Sequence, residues 1–346
     1  MRWIPNILIT VVAALLLASC SIRMEGAVQK EENDQSPYKI SAWAVEWQEE
    51  AGLEEVRQAA EGIDDLLLFG AYFSGNGGLL LTDSAKRMLD TVFTDERLEK
   101  QEKFLTIVND RFLAPGQVEH KNPELIRTVL SDAESESRHI DEILRLASAY
   151  PLDGIELDYE NVPTDLAGQF INFIKRLDER LADKQLKLRV VLEPGFPADR
   201  LSLPAGVGFT VMAYNLHGFH SGPGPKADEA FLDQLMDRFP NVNNNISFAF
   251  STGGFAWKDG SATALTELQA IEFAGKANNP PDRDSGSQAL SFQADEDGAV
   301  SEVWYADAET IRHWMEYMHK CGGYKGFSIW RMGGLSGPTL NMLEEL

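Results

Sequence analysis

The chain has 346 residues, 44% of them hydrophobic and 10% aromatic, enough for a sizeable core in one large domain or two ordinary ones. Asp and Glu number 54 against 31 Lys and Arg, a net charge of −23. That sign repels nucleic acid, no Lys/Arg cluster overrides it, and it suits a neutral or cationic partner.

The N-terminus has one basic residue, Arg2, then an apolar run from Ile7 to Leu17, then Ala18-Ser19-Cys20. This pattern predicts a secretory leader over 1–19. The run is shorter than the roughly 20 residues a membrane span needs. A cysteine directly after Leu-Ala-Ser resembles the bacterial lipobox. The resemblance implies a lipidated Cys20 and an extracytoplasmic protein anchored in the cell envelope; an ordinary leader with an incidental cysteine is the alternative. Residues 21–37 are polar and aperiodic, so 20–37 are expected to form the lipidated start and a flexible tether. The folded domain is expected over 38–346. Cys321 is then left alone, which excludes an internal disulfide and a cysteine metal site.

From Tyr38 onward, short apolar runs alternate with segments of helical period, the pattern of βα units on a parallel sheet. Eight strands are predicted, at 40–47, 65–73, 104–110, 152–160, 187–194, 207–214, 245–251 and 325–331. Helices are predicted at 83–101, 121–149, 164–184 (with Thr164 as N-cap), 227–238, 263–277 and 307–320, with fainter signals at 51–61 and around 197–203. The fold class is therefore α/β: a single-domain (β/α)8 barrel of the TIM type. An open doubly wound sheet is the competing architecture, but no Gly-rich phosphate loop follows the first strand. The polar, Pro/Gly-rich residues 278–300 are expected to form an excursion inserted before strand eight.

The run Asp153-Gly154-Ile155-Glu156-Leu157-Asp158-Tyr159-Glu160 carries the chemistry. Side chains alternate along a strand, so Ile155, Leu157 and Tyr159 share one face. Glu156, Asp158 and Glu160 share the other, roughly 6–7 Å apart. On a barrel strand the acidic set faces the interior and climbs toward the C-terminal end, where barrel active sites lie. Like charges in a partly desolvated site raise one another's pKa, so at least one should hold a proton at neutral pH. A protonated carboxyl beside an ionised one is what general acid catalysis on a glycosidic oxygen requires. The other reading is the solvated acidic face of an antiparallel sheet. The βα pattern opposes it, because parallel strands are buried on both faces.

The same run resembles the Asp-Gly-x-x-x-Asp-x-Glu signature of glycoside hydrolase family 18. Met212-Ala213-Tyr214-Asn215 is similar to the family's Met-x-Tyr-Asp at the end of strand six. Trp330 ends strand eight, where the family places a Trp under the reacting sugar. Stretches 214–225 (YNLHGFHSGPGP), 303–311 (VWYADAETI) and 326–335 (GFSIWRMGGL), with Asn109 ending strand three, are most similar to the branch of spore-cortex-lytic N-acetylglucosaminidases.

The resemblance implies substrate-assisted retention, with the sugar's acetamido group as nucleophile. Glu160 would be the general acid/base, Asp158 the anion that orients the acetamido N–H, and Tyr214 the hydroxyl on the acetamido oxygen. Glu156, Asn215, Trp330, Met212 and Asn109 would contact substrate. Two positions depart: Glu156 and Asn215 stand where the family has Asp. No metal or organic cofactor is implied. The implied partner is a glycan containing N-acetylglucosamine. A peptidoglycan-like polymer comes first, chitin second. A non-catalytic carbohydrate-binding barrel is third, and the presence of Glu160 argues against it. His217 and His220 read as loop or substrate contacts more than as a metal pair. Glu193 is open between lining the site and capping a loop. Trp43, Trp47, Trp257 and Trp304 are open between sugar stacking and core.

Overall fold

The computed structural model describes residues 37–346, apart from 115, 241–244, 278 and 297–298. The leader 1–19, Cys20 and the tether up to residue 36 lie outside the described residues. Eight parallel strands form the barrel: β1 (Lys39–Val45), β2 (Asp65–Ser74), β3 (Glu102–Ala114), β4 (Gly154–Asp158), β5 (Lys187–Leu192), β6 (Gly208–Met212), β7 (Ile246–Ser251) and β8 (Gly326–Trp330). Each pairs with the next, and β8 pairs back to β1 with Gly326 opposite Lys39. That last pairing closes the barrel and excludes the open sheet. All eight strands lie where the sequence predicts them.

Alternation along the strands sorts side chains into two clusters. Outward-facing Ile40, Leu66, Leu105, Ile155 and Leu157 join the inner faces of the surrounding helices, such as Phe170, Phe173 and Leu177 of the helix Ala167–Ala182. Each fully buried side chain of this kind contributes about 1.5–3 kcal/mol. Inward-facing Trp43, Leu67, Phe69, Tyr72, Phe104, Val108, Val191 and Met212 form a second cluster inside the barrel. Phe69 and Tyr72 share that interior although they are three residues apart, because the β2–β3 register shifts between Phe69 and Phe73. A bulge of this kind re-aims side chains at a barrel rim.

The barrel interior also holds a polar layer. Arg189 donates to Glu156 Oε2 (3.1 Å), Asp65 Oδ2 (2.9 Å), Ser41 Oγ (3.1 Å) and Thr210 Oγ1 (3.1 Å). One guanidinium thus serves two buried carboxylates, an arrangement stable only while every partner stays in place.

Helix boundaries differ from expectation in several places. Residues 121–149 form two helices, Pro123–Val129 and Ala133–Ala147, because Asp132 accepts from Ser135 N (2.8 Å) and caps a new start. Thr164 opens a 3-10 turn, Thr164–Leu166, rather than capping the helix that follows. A helix at Gly337–Glu344, capped by Ser336, ends the chain without having been predicted.

The insertion before β8 is larger than 278–300. Strands Gly253–Lys258, Ser261–Leu265, Asp282–Arg283, Leu290–Glu296 and Ala299–Ala306 form an antiparallel sheet, with the helix Glu267–Ala274 beside it. Its first hairpin turns at Asp259-Gly260, both at positive φ (51° and 78°). Asp-Gly between two strands is a strong hairpin signal. It replaces the first part of the helix predicted over 263–277, and a Thr266/Gln269 capping box starts the real helix later.

Candidate active site

The C-terminal ends of the strands enclose a cavity of about 370 Å³. Its wall takes Glu46 and Trp47 after β1, Phe69 and Tyr72 from β2, Asp110 and Phe112 from β3, and Asp158 and Glu160 from β4 and just beyond it. Trp43 of β1, Val191 of β5, Met212 and Tyr214 at β6, and Trp330 at the end of β8 complete it, with Val118, His120 and Lys121 from the loop after β3. This is the end at which barrels carry their active sites.

Local packing presents the two carboxylates. A Cβ on Gly154 would lie 2.4 Å from Phe104 Cε1 and 2.5 Å from Lys187 O, so only glycine lets β4 run this close to its neighbours. Tyr159, between the two carboxylates, points outward into the helix layer. Its hydroxyl hydrogen-bonds His139 Nε2 at 2.6 Å, and Phe73 stacks on that imidazole. Burial pushes His139 down to about 3, so the ring is neutral and this anchor does not switch near neutral pH. Asn109 grips the backbone of Glu160 from both sides: Nδ2 donates to Glu160 O (2.8 Å) and Oδ1 accepts from Glu160 N (3.0 Å).

Asp158 is almost wholly buried, and its Oδ1 has no hydrogen-bond partner among the described residues. Burial raises its pKa to about 7. Lys121 opposes the rise, while Glu160 and Glu156 add to it. Lys121 Nζ lies 2.7 Å from Glu160 Oε1 and 3.4 Å from Asp158 Oδ2. Burial alone would lower the lysine, but Asp158, Glu160 and Asp110 together outweigh it and hold its ammonium above the ordinary range. The loop that carries Lys121 is fixed by Asp110, which accepts from Lys121 N (2.9 Å), and by Asn161, whose Nδ2 donates to Lys121 O (3.1 Å). Tyr214 is raised well above its usual value by burial, then by the surrounding carboxylates, so its hydroxyl keeps its proton as a donor.

Lys121→Met removes the cation that opposes Asp158's rise. The variant should therefore keep Asp158 protonated to higher pH. If turnover needs the ionised form, the acid limb of the kcat/KM profile moves alkaline. An unmoved acid limb would mean that Lys121 does not govern Asp158.

The sequence-derived site residues fall in three places. Glu160, Asp158, Tyr214, Met212 and Trp330 come together on the cavity wall. Glu156 does not line the cavity. It is fully buried among Trp43 Nε1 (2.7 Å), Thr106 Oγ1 (2.9 Å) and Arg189, so it supports the site from below rather than touching a sugar. Asn109 likewise sits behind the wall as a backbone clamp. Asn215 is exposed outside the cavity lining, with Nδ2 near Met212 Sδ at 3.6 Å. Glu193 accepts from Asn161 N (2.7 Å), the loop-capping role. His217 hydrogen-bonds Gly222 O within its own loop, and no metal-competent cluster exists among the described residues. Trp43, of the interior cluster, and Trp47 both line the cavity, while Trp257 and Trp304 sit in the inserted sheet. Sequence reasoning missed Lys121, Asp110, Tyr72 and Phe112. No short motif marks them, and Lys121 adopts a positive φ of 50° in a polar loop.

A sequence profile described as "Glycosyl hydrolases family 18" matches residues 118–334. The cortical fragment-lytic enzyme of Bacillus anthracis is 25% identical over 307 residues, 81% of this chain and 68% of that protein. Among solved structures, the Bacillus cereus spore cortex-lytic enzyme SleL superposes with a TM-score of 0.74 at 20% identity, over 91% of this chain and 75% of that one. A chitinase from Chromobacterium violaceum ATCC 12472 gives the same TM-score, 0.74, at 17% identity, over 89% of this chain and 98% of the other. At such identities the superpositions speak for the fold.

Proposed function

Because the chain belongs to glycosyl hydrolase family 18, we propose that it cleaves a β-linked polysaccharide after N-acetylglucosamine, by substrate-assisted retention. The observation that carries this is Asp158 Oδ1, a buried acceptor without a hydrogen-bond partner among the described residues, on one cavity wall with Glu160 and Trp330. An acetamido N–H is a donor of the kind that oxygen lacks. In the proposed reaction Glu160 protonates the leaving glycosidic oxygen. The acetamido carbonyl oxygen attacks the anomeric carbon as that bond breaks, giving an oxazolinium ion. Asp158 holds the N–H and offsets the positive charge. Tyr214 donates to the acetamido oxygen, and Trp330 carries the ring's apolar face. Glu160, now ionised, takes a proton from water, which opens the oxazolinium ion with overall retention. Lys121 Nζ lies 2.7 Å from Glu160 Oε1, so in this reading the acidic proton is carried on Oε2.

A peptidoglycan-like glycan is the preferred substrate in this reading, supported by the cortical fragment-lytic relative. Product analysis by mass spectrometry tests it, with protein from residue 21 onward offered purified peptidoglycan and chitin oligomers beside a Glu160→Gln control. Muropeptide fragments ending in reducing N-acetylglucosamine support the reading. Chito-oligomers alone make the protein chitinase-like. Binding without cleavage makes it a recognition barrel.

The anchor belongs to the same proposal: Leu17-Ala18-Ser19-Cys20 would be processed to a lipidated Cys20 that tethers the enzyme in the cell envelope. Among the described residues no helix is long and apolar enough to cross a membrane. The Cys20→Ala protein should leave the membrane fraction, and its retention there would discard the anchor.

A further inference from the structure

A second cavity, of about 240 Å³, adjoins the first and shares Trp330 with it. It lies between the end of β8 and the inserted sheet. Its lining includes Gln48, Ser251, Thr266, Gln269, Lys226 and Arg331, and no Asp or Glu. In a chain with 54 acidic and 31 basic residues, a pocket with two cations and no carboxylate in its wall stands apart.

Neither cation is paired with an acid among the described residues. Lys226 Nζ donates to Ser251 Oγ (2.7 Å) and Thr252 O (2.9 Å), which leaves one N–H, and it rests over the Phe255 ring. Arg331 donates to Gln48 Oε1 and lies over the Trp47 ring. Glu55 acts on Arg331 electrostatically, but its two oxygens are engaged by the N–H groups of Gly333, Gly334 and Leu335. Burial, then repulsion from Arg331, pulls Lys226 down to about 7. Two cations crowded in a half-buried pocket are costly until an anion joins them.

We propose that this cavity is a subsite for a carboxylate-bearing sugar, next to the sugar at the cleavage point. The inference rests on the hydrolase reading above, because it takes the glycan to run across Trp330. A neutral polysaccharide needs only hydroxyl partners, which Ser251, Thr266, Gln48 and Gln269 supply. The two cations add recognition of one negative group: the Arg331 fork matches a planar carboxylate, and the free Lys226 N–H reaches the same anion. The carboxylate has two chemical sources, the lactyl ether of an N-acetylmuramic acid unit or a uronic acid.

Binding is measured by calorimetry in the Glu160→Gln background, so that turnover does not enter. The probes are a peptide-free tetrasaccharide of alternating N-acetylglucosamine and N-acetylmuramic acid, the same tetrasaccharide with its carboxylates converted to methyl amides, and a hyaluronan tetrasaccharide. At least one acidic probe is expected to bind about tenfold or more tighter than the neutral amide. Which one does so identifies the source. Adding Lys226→Met or Arg331→Gln should bring the acid-to-amide ratio close to one. A ratio survives a general loss of affinity, so modest unfolding in one variant does not mimic the result. Equal binding of acid and amide, no binding of any acidic probe, or a preference that outlasts both substitutions would overturn the proposal. If the wild type cleaves none of these polysaccharides while the charged preference holds, the hydrolase reading fails and the subsite stands.

Discussion

Glu160→Gln is expected to fold as the wild type does and to lose about 10²–10⁴ of its turnover on N-acetylglucosamine oligomers. Gln keeps the size of the side chain and an oxygen for Lys121, and the Asn109 clamp acts on the backbone of residue 160, which the change does not touch. What disappears is the only proton this wall is proposed to deliver to a departing glycosidic oxygen. The loss should appear in kcat rather than KM, because a group acting on the bond being broken contributes mainly in the transition state. Turnover within a few-fold of wild type would remove Glu160 from the mechanism.

Asp158→Asn should lower turnover by about 10²–10³, since it deletes the anion facing the developing positive charge. The same change should make the protein more stable at pH 8. The folded-state pKa of Asp158, about 7, lies above the ordinary carboxylate value of 3.8. Protonation therefore favours the fold: that contribution is full below the ordinary carboxylate range and is lost as pH rises through about 7. Asparagine cannot ionise and escapes the loss. Its melting temperature should exceed that of the wild type at pH 8, by about 2–4 °C per kcal/mol relieved, and the two should converge near pH 4. Thermal melts at both pH values decide it. A variant less stable than wild type at pH 8 would show that the Lys121 ion pair outweighs the burial of the charge.

The barrel was legible because the sequence states its period. Eight apolar runs at βα spacing could close in few ways, and the alternation of Ile155, Leu157 and Tyr159 with three acids assigns each face of β4 from the sequence alone. The cavity residues Glu160, Asp158, Tyr214, Met212 and Trp330 share this legibility, each at the C-terminal end of a strand or just beyond it. Glu156 was harder. Period-two reasoning puts it inside the barrel, but only three-dimensional packing puts Trp43 and Arg189 around it, at a depth no sugar reaches. Lys121 was illegible for another reason. Its position depends on two hydrogen bonds from residues 11 and 40 positions away, Asp110 and Asn161, and no local pattern encodes such a meeting. The inserted sheet falls between the two cases: Asp259-Gly260 marked its first hairpin, while the helical period of the next residues masked it.

That insertion packs an apolar cluster built only from its own side chains, among them Ala256, Ala270, Phe292, Val303 and Tyr305. It meets the rest of the molecule through Ala306, which joins the barrel's core, through the edge-to-face pair Phe255–Phe219, and through polar contacts. Chief among them is Glu267, which accepts from Ser336 N (3.0 Å), Ser336 Oγ (2.6 Å) and Thr339 Oγ1 (2.7 Å). A module whose core is largely its own can change in sequence or length with little repacking of the strands that aim Asp158 and Glu160. The surface this sheet offers beside the cavity can therefore be altered while the carboxylate pair keeps its place.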